Sequence, residues 1–187
     1  MEKAVSYAFI IGFAVIPLLA VGKNLANFSD ESHSIDPTSI EKIDNDFTEV
    51  KINSARALMG LNLNTGDVVR IHNNKLYSIK TTQSIRIEGY DVAPSSQVTF
   101  HKSNDLSQFT LQKESVVEGL SLPAGTRVSL LPSAPLPPSG KLLRWVSLGA
   151  DSTINGQTYA KGTRLSFSPL SGRARVMNSN EVSDEAP

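Results

Sequence analysis

Histidine is the side chain best suited to move protons or hold a metal near neutral pH. The chain has three: His33, His72 and His101. His72 and His101 stand at the same place in two copies of an internal repeat, but the other two copies carry Leu131 and Ser168 there. A metal centre needs several ligands converging on one point, and no such set is readable. The absence of cysteine removes thiolate ligands, a thiol nucleophile, disulfides and a lipidated cysteine. No serine sits in the Gly-x-Ser-x-Gly setting of a strained nucleophile elbow. Residues 51–176 hold seven carboxylates, with no pair at helix or motif spacing. A phosphate-binding glycine loop needs a helix to open, and the glycines here have another use. The expectation is a protein without catalytic residues, metal or cofactor.

The basic residues are the stronger lead. The formal net charge is zero, but it conceals a split. Residues 29–50 carry seven acids and one lysine, residues 51–176 carry fifteen Lys+Arg against seven acids, and residues 177–187 carry three acids and no base. A basic body therefore stands between two acidic ends, a pattern that suits an anionic partner or self-masking. Seven cations fall in the second half of the body: Arg127, Lys141, Arg144, Lys161, Arg164, Arg173 and Arg175. They are the candidate partner-binding face. An acidic protein surface, anionic lipid headgroups or a cell-wall polymer fits such a face. Nucleic acid is not expected, because few aromatic residues interleave with the charges.

What positions those cations is a repeat. "GLSLPAGTRVSL" from Gly119 and "GQTYAKGTRLSF" from Gly156 share one pattern, and two more copies start at Gly60 and Gly89. The third residue after each leading glycine is Leu63, Val92, Leu122 or Tyr159. The sixth is Gly66, Ser95, Gly125 or Gly162. The ninth and eleventh are Val69 and Ile71, Val98 and Phe100, Val128 and Leu130, and Leu165 and Phe167. Apolar residues two apart share one face of a strand. The tenth residue (Arg70, Thr99, Ser129, Ser166) then faces solvent, and so does the eighth, where Arg127 and Arg164 stand. The sixth residue suits a turn with positive φ. Each copy reads as a short strand, a turn, a second strand and a return strand such as "NKLYSI" or "GKLLRWVSL". No single unit buries its apolar side alone, but four together do. This predicts an all-β repeat domain of four units of about 30 residues, stacked or rolled as sheets, with a barrel as the alternative. Trp145, on a return strand, reads first as a core or edge anchor and second as a ligand platform. The insertion Pro132–Gly140 holds four prolines, which favours an extended, protruding loop.

The N-terminal part is of another kind. Ala4–Gly22 carries no charge. As a helix it would span about 28 Å, close to the ~30 Å of a hydrocarbon core. It predicts one transmembrane helix over residues 1–28, with a cleavable signal peptide ending at Gly22 as the rival. Only three residues precede the run, so the expected orientation is N-terminus inside, with the β domain periplasmic or extracellular. "AVSYAFI" at Ala4 and "VGKNLANF" at Val21 resemble the two ends of the apolar helix of short Flp-type pilins, although Ser6 stands where those carry glutamate. That resemblance implies a filament subunit. Residues 29–50 read as an acidic linker, with Pro37–Phe47 either a short amphipathic helix or a solvated tether. Residues 51–176 form the β-repeat domain, and 177–187 a disordered acidic tail.

The sequence thus predicts a membrane-anchored, non-enzymatic structural or adaptor subunit of a cell-envelope, transport or secretion assembly. It contacts lipid through the N-terminal helix and another envelope protein or anionic surface through the β domain; homo-oligomerisation also fits. A pilin-like subunit is the second reading and an exported hydrolase the third.

Overall fold

The computed structural model describes residues 40–44, 47–73, 75–137, 140 and 142–177. The apolar run Ala4–Gly22, both pilin-like stretches, residues 29–39, the tail residues 178–187 and Lys141 lie outside the described residues. Among the described residues the chain is all-β, and no helix is long and apolar enough to cross a membrane.

β1 (Ile40–Asp44) and β2 (Phe47–Lys51) come first, and the chain then takes one route four times. A short hairpin, β3 (Arg56–Leu58) and β4 (Leu61–Leu63), leads to β5 (Val68–His72) and a return strand β6 (Lys75–Lys80). β7 (Ile85–Ile87) and β8 (Tyr90–Val92) lead to β9 (Gln97–Phe100) and β10 (Leu106–Thr110). β11 (Ser115–Val117) and β12 (Leu120–Leu122) lead to β13 (Arg127–Leu130) and β14 (Leu143–Ser147). β15 (Ser152–Ile154) and β16 (Gln157–Tyr159) lead to β17 (Arg164–Phe167) and β18 (Ala174–Val176). The long strands form one antiparallel ten-stranded sheet in the order β1-β2-β5-β6-β9-β10-β13-β14-β17-β18, and each hairpin is a two-stranded sheet of its own.

Alternation gives the large sheet an apolar face. Val50 pairs Val69, Val69 pairs Ile79 and Ile79 pairs Val98; farther along, Phe109 pairs Val128, Val128 pairs Val146 and Val146 pairs Leu165. Every residue of this row is wholly buried. A parallel row of Ile71, Leu76, Phe100, Leu106, Leu130, Leu143 and Phe167 is buried beside it. The hairpins supply the second layer. Leu63, Ile87, Val92, Val117, Leu122 and Ile154 belong to the same core cluster as the two rows. Each buried side chain of this size contributes about 1.5–3 kcal/mol, so the sheet depends on its hairpins.

One detail extends the sequence reading and another differs from it. The leading glycine also serves a turn with positive φ. It is the second residue of a two-residue hairpin turn, and the residue before it (Met59, Glu88, Glu118, Asn155) also has positive φ. Both central residues of a type I′ turn need that geometry. The acidic linker also ends earlier than its composition suggests. Pro37–Phe47 reads as a helix or a tether, yet residues 40–44 and 47–51 are strands of the sheet. β2 pairs β5 along its whole length, with Val50 in the core. The apolar seam of the first unit captures this segment, and that outweighs its acidic composition.

A bulge recurs on the return strands. Ile71 pairs Leu76 while Arg70 pairs Ser78, so Tyr77 is the extra residue. By the same count Ser107 and Arg144 are the extra residues of β10 and β14. Each lies twelve residues before the next leading glycine. The bulges restore the inward phase of both apolar rows after each change of direction.

The connections are of two kinds. Between each return strand and its hairpin, and between each hairpin and the next sheet strand, four residues intervene in every copy. At the other end of the sheet the connections hold two, five, twelve and six residues. Backbone bonds explain the constant end. Ile52 N–H donates to the Asp67 carbonyl and Gly66 N–H to the Ile52 carbonyl. Leu111 bonds Thr126 and Gly125 in the same way, and Leu148 bonds Thr163 and Gly162. In the second copy Thr81 takes the apolar place. Its N–H donates to the Ser96 carbonyl, and its hydroxyl accepts from Ser96 N–H. Thr81 and Ser95 thus depart from the pattern in one unit, where a hydroxyl joins the bonding of the turn.

Successive units are also clamped together. Buried Asp67 accepts from Asn64 N–H, Thr82 N–H and the Thr82 hydroxyl. Thr126 Oγ1 accepts from Gly149 N–H. Within one unit, the hairpin turn is tied to its own return strand: Glu88 accepts from Leu106 N–H and Glu118 from Leu142 N–H.

At Gly149 the clamp leaves no room for a side chain. A Cβ there would lie 2.6 Å from Thr126 N and closer still to the Ala124 carbonyl oxygen. Gly149→Ala should lower unfolding free energy by about 3 kcal/mol, at the upper end for overpacking, as read by urea denaturation. Met59 and Glu88 occupy the same left-handed turn position. Met59→Asn should leave stability within about 1 kcal/mol of the parent, because relief of the backbone is set against loss of the Met59 side chain packed on the core. Glu88→Asn should give no net gain, because it forfeits the bond from Leu106; the same titration compares them.

Candidate functional site

The other face of the large sheet carries polar, cationic and aromatic side chains. Its central row is Glu49, Arg70, Ser78, Thr99, Gln108, Ser129, Trp145, Ser166 and Arg175, each paired with the next across the strands. The row beside it runs Thr110, Arg127, Ser147, Arg164. Ser147 is small and lies between two arginines, one on β13 and one on β17. Trp145 is two residues away on the same side of β14.

Both arginines turn toward Trp145. The Arg164 guanidinium carbon lies 4.8 Å from the ring centroid and that of Arg127 lies 5.7 Å away. These are cation–π distances. Arg127 also donates from Nη2 to Gln108 Oε1 at 3.1 Å, and Arg175 donates from Nε to Ser166 Oγ at 3.1 Å. Trp145 is half-buried. It stands on the face away from the core, which corrects its reading as a core or edge anchor. No carboxylate among the described residues lies within ion-pair distance of Arg127, Arg144, Arg164 or Arg173. The arrangement presents two guanidinium groups, held against an aromatic plane, to whatever meets the face. Guanidinium is matched in geometry to carboxylate and phosphate.

The seven cations do not all share this position. Arg127, Arg164 and Arg175 are on the open face by register. Arg144 is the bulged, exposed residue preceding Trp145. Arg173 is exposed on the β17–β18 connection, where its carbonyl accepts from Ser168 N–H. Lys161 belongs to the tight turn before β17, where its N–H donates to Asp151 Oδ1 at 2.7 Å. Lys141 lies outside the described residues. The tenth position is also less open than alternation implies. Ser129 is buried between Gln108 and Trp145, and its Oγ has no hydrogen-bond partner among the described residues. The wide neighbours on adjacent strands cover it.

A second cluster lies at the opposite end of the same face, and sequence reasoning missed it. Phe47 stacks on His72 with centroids 4.5 Å apart and meets Tyr77 edge-on at 5.0 Å. Arg70 lies 4.8 Å from the Phe47 ring and 3.5 Å from Glu49. Phe47, His72, Lys75, Tyr77, Phe100 and His101 border an open cleft of about 470 Å³. Both histidines are thus near one hollow, but each has its own partner, since His101 Nε2 is 3.1 Å from the Leu130 carbonyl. Arg70 is answered by Glu49, whereas Arg127 and Arg164 have no such acid among the described residues. The signal for this cluster lay in Phe47, which composition had assigned to the linker.

Two carboxylates are held low by their partners. Asp105 accepts from the Ser133 and Ser103 hydroxyls, which favours its charged form and ties the proline-rich insertion to the β9–β10 connection. Asp91 is lowered chiefly by its hydrogen bond from Lys113, at 2.6 Å. Neither belongs to the arginine–tryptophan cluster. Among the described residues no group of three or more His, Asp or Glu side chains is placed to hold a metal ion.

Compared with family models, curated proteins and solved structures, the chain has no match.

Arg164 is within stacking distance of Trp145, whereas Arg173 is on an exposed connection. Arg164→Gln should therefore cost about 0.5–1 kcal/mol of stability through the lost cation–π contact. Arg173→Gln should cost about nothing, as surface substitutions usually do. Parallel urea titrations of the two variants check this.

Proposed function

We propose that the protein is a membrane-anchored extracytoplasmic subunit of a cell-envelope, transport or secretion assembly. Its β domain works by docking an acidic protein surface and not by transforming a substrate. The observation that carries the docking is the pair Arg127 and Arg164 flanking Trp145 on the open face of the sheet, with no acid of the described residues to neutralise them. An aromatic beside arginines is the composition of interface anchors. Rigid strands hold it, so little ordering entropy is lost on contact. The uncharged run Ala4–Gly22 supports the anchor, with residues to its C-terminal side on the periplasmic or extracellular side.

The test is binding of poly-glutamate to the full chain in mild detergent, and then of the native partner by cross-linking in membranes. Charge reversal at Arg127, Arg164 and Arg173 together should weaken poly-glutamate binding by at least about tenfold at low salt, as loss of complementary charge predicts. The melting temperature should fall by only a few degrees, as for a loss of about 1–2 kcal/mol. Undiminished binding by the reversed variant would mean that the face is not the docking surface.

A further inference from the structure

The cleft beside Phe47 lies at the rim where the links between sheet strands vary in length. It opens between the two-residue link after β5 and the five-residue link after β9. Buried Leu76 and Phe100 give it an apolar floor, and half-buried Phe47 and Tyr77 stand at its side. Phe47 stacks on His72 and meets Tyr77 edge-on, so these rings brace one another at the ends of paired strands. The volume of about 470 Å³ is that of a small-molecule pocket, and such pockets are largely preformed, apolar and fitted with a few polar groups.

The ionisable groups on its border are all bases. Lys75, Lys102, His72 and His101 line the cleft, and no carboxylate of the described residues does. Lys75 donates from Nζ to the Lys102 carbonyl at 2.6 Å. That bond fixes the ammonium in place and leaves two of its three N–H donors for a ligand. Neither lysine has a carboxylate of the described residues within ion-pair distance. Asp105, on the β9–β10 connection, is engaged by the Ser103 and Ser133 hydroxyls. The third and fourth copies of the repeat carry Leu131 and Ser168 where the first two carry His72 and His101. The unit therefore folds without a histidine there, and the basic border belongs to this one junction.

We propose that this cleft binds a small planar aromatic carboxylate, with its ring on the apolar floor and its carboxylate at the Lys75 ammonium. The site is independent of the docking role of Arg127 and Arg164, which stand toward the other end of the sheet. Both halves of the ligand have a counterpart. An aromatic ring gains from burial against Leu76, Phe100 and the flanking rings. A carboxylate gains a charge-assisted hydrogen bond from a lysine that is already positioned. A sugar acid fits less well, because its hydroxyls would meet Leu76 and Phe100 without hydrogen-bond partners.

The probe is cinnamate, with cinnamamide as its neutral counterpart, in equilibrium dialysis of the full chain in mild detergent against detergent alone. Cinnamate should bind saturably and at least about tenfold more tightly than the amide, as a charge-assisted contact predicts. Lys75 is exposed, so Lys75→Gln should keep the melting temperature. It should weaken cinnamate at least about fivefold and leave the amide unchanged. Phe47→Leu should weaken acid and amide alike, because it removes part of the aromatic wall. If that variant does not fold, Lys75→Gln decides alone. Arg164→Gln should change neither affinity. Absence of saturable binding at millimolar cinnamate overturns the proposal, and so does equal affinity for acid and amide. Cinnamate binding lost in Arg164→Gln and kept in Lys75→Gln would assign the anion to the arginine–tryptophan face and equally overturn it. Tighter binding of glucuronate than of cinnamate would overturn the aromatic class of ligand.

Discussion

The architecture depends on a small backbone contact made in each unit. Where a return strand leaves the sheet, the next residue gives its N–H to the turn that re-enters the sheet. In three of the units its carbonyl accepts from the same turn: Ile52 with Asp67 and Gly66, Leu111 with Thr126 and Gly125, Leu148 with Thr163 and Gly162. The two bonds close a loop whose interior is a hairpin. They satisfy backbone groups that would otherwise be buried without partners, and they leave the hairpin one place to go, over the apolar face. Without them the ten strands would expose a hydrophobic sheet of a kind that aggregates.

From that closure the division of labour between the two faces follows. The inner face carries the folding free energy, because both apolar rows and the hairpin side chains form one cluster. The outer face has little part in that core and is free to vary. In the middle of the row it carries Ser78, Thr99, Gln108 and Ser129. Toward the ends it carries aromatic rings against arginines, with Glu49 balancing Arg70 at one end and, among the described residues, no such acid beside Arg127 and Arg164 at the other.

Much of this was legible in the sequence, and the reason is periodicity. Residues nine and eleven after each leading glycine alternate with polar ones, and strands convert that into faces directly; the same arithmetic put Arg127 and Arg164 on the outer side. The bulge escaped notice because an extra residue such as Tyr77 or Ser107 leaves no compositional trace and shows itself only when two strands are aligned. The inner hairpins escaped for a related reason. Three-residue strands are too short to alternate visibly, and Met59, Glu88 and Glu118 are not residues that announce a left-handed turn. Trp145 reads from the sequence as a core or edge anchor because its face depends on the bulge at Arg144; its neighbours Ser129, Ser147 and Ser166 leave room for a ring to lie on the outer side. The capture of Phe47–Lys51 by the sheet is a tertiary effect that local acidity concealed.

The two ends of the large sheet live under different rules. At one end every link is four residues long and closed by backbone bonds, so a single inserted residue would break the closure. At the other end the links range from two residues to the twelve of the proline-rich insertion, and the core rows beneath them keep their register. Growth in this lineage of units has one permitted direction: new sequence accumulates along a single rim, while the opposite rim stays a fixed hinge line to which any future addition remains subordinate.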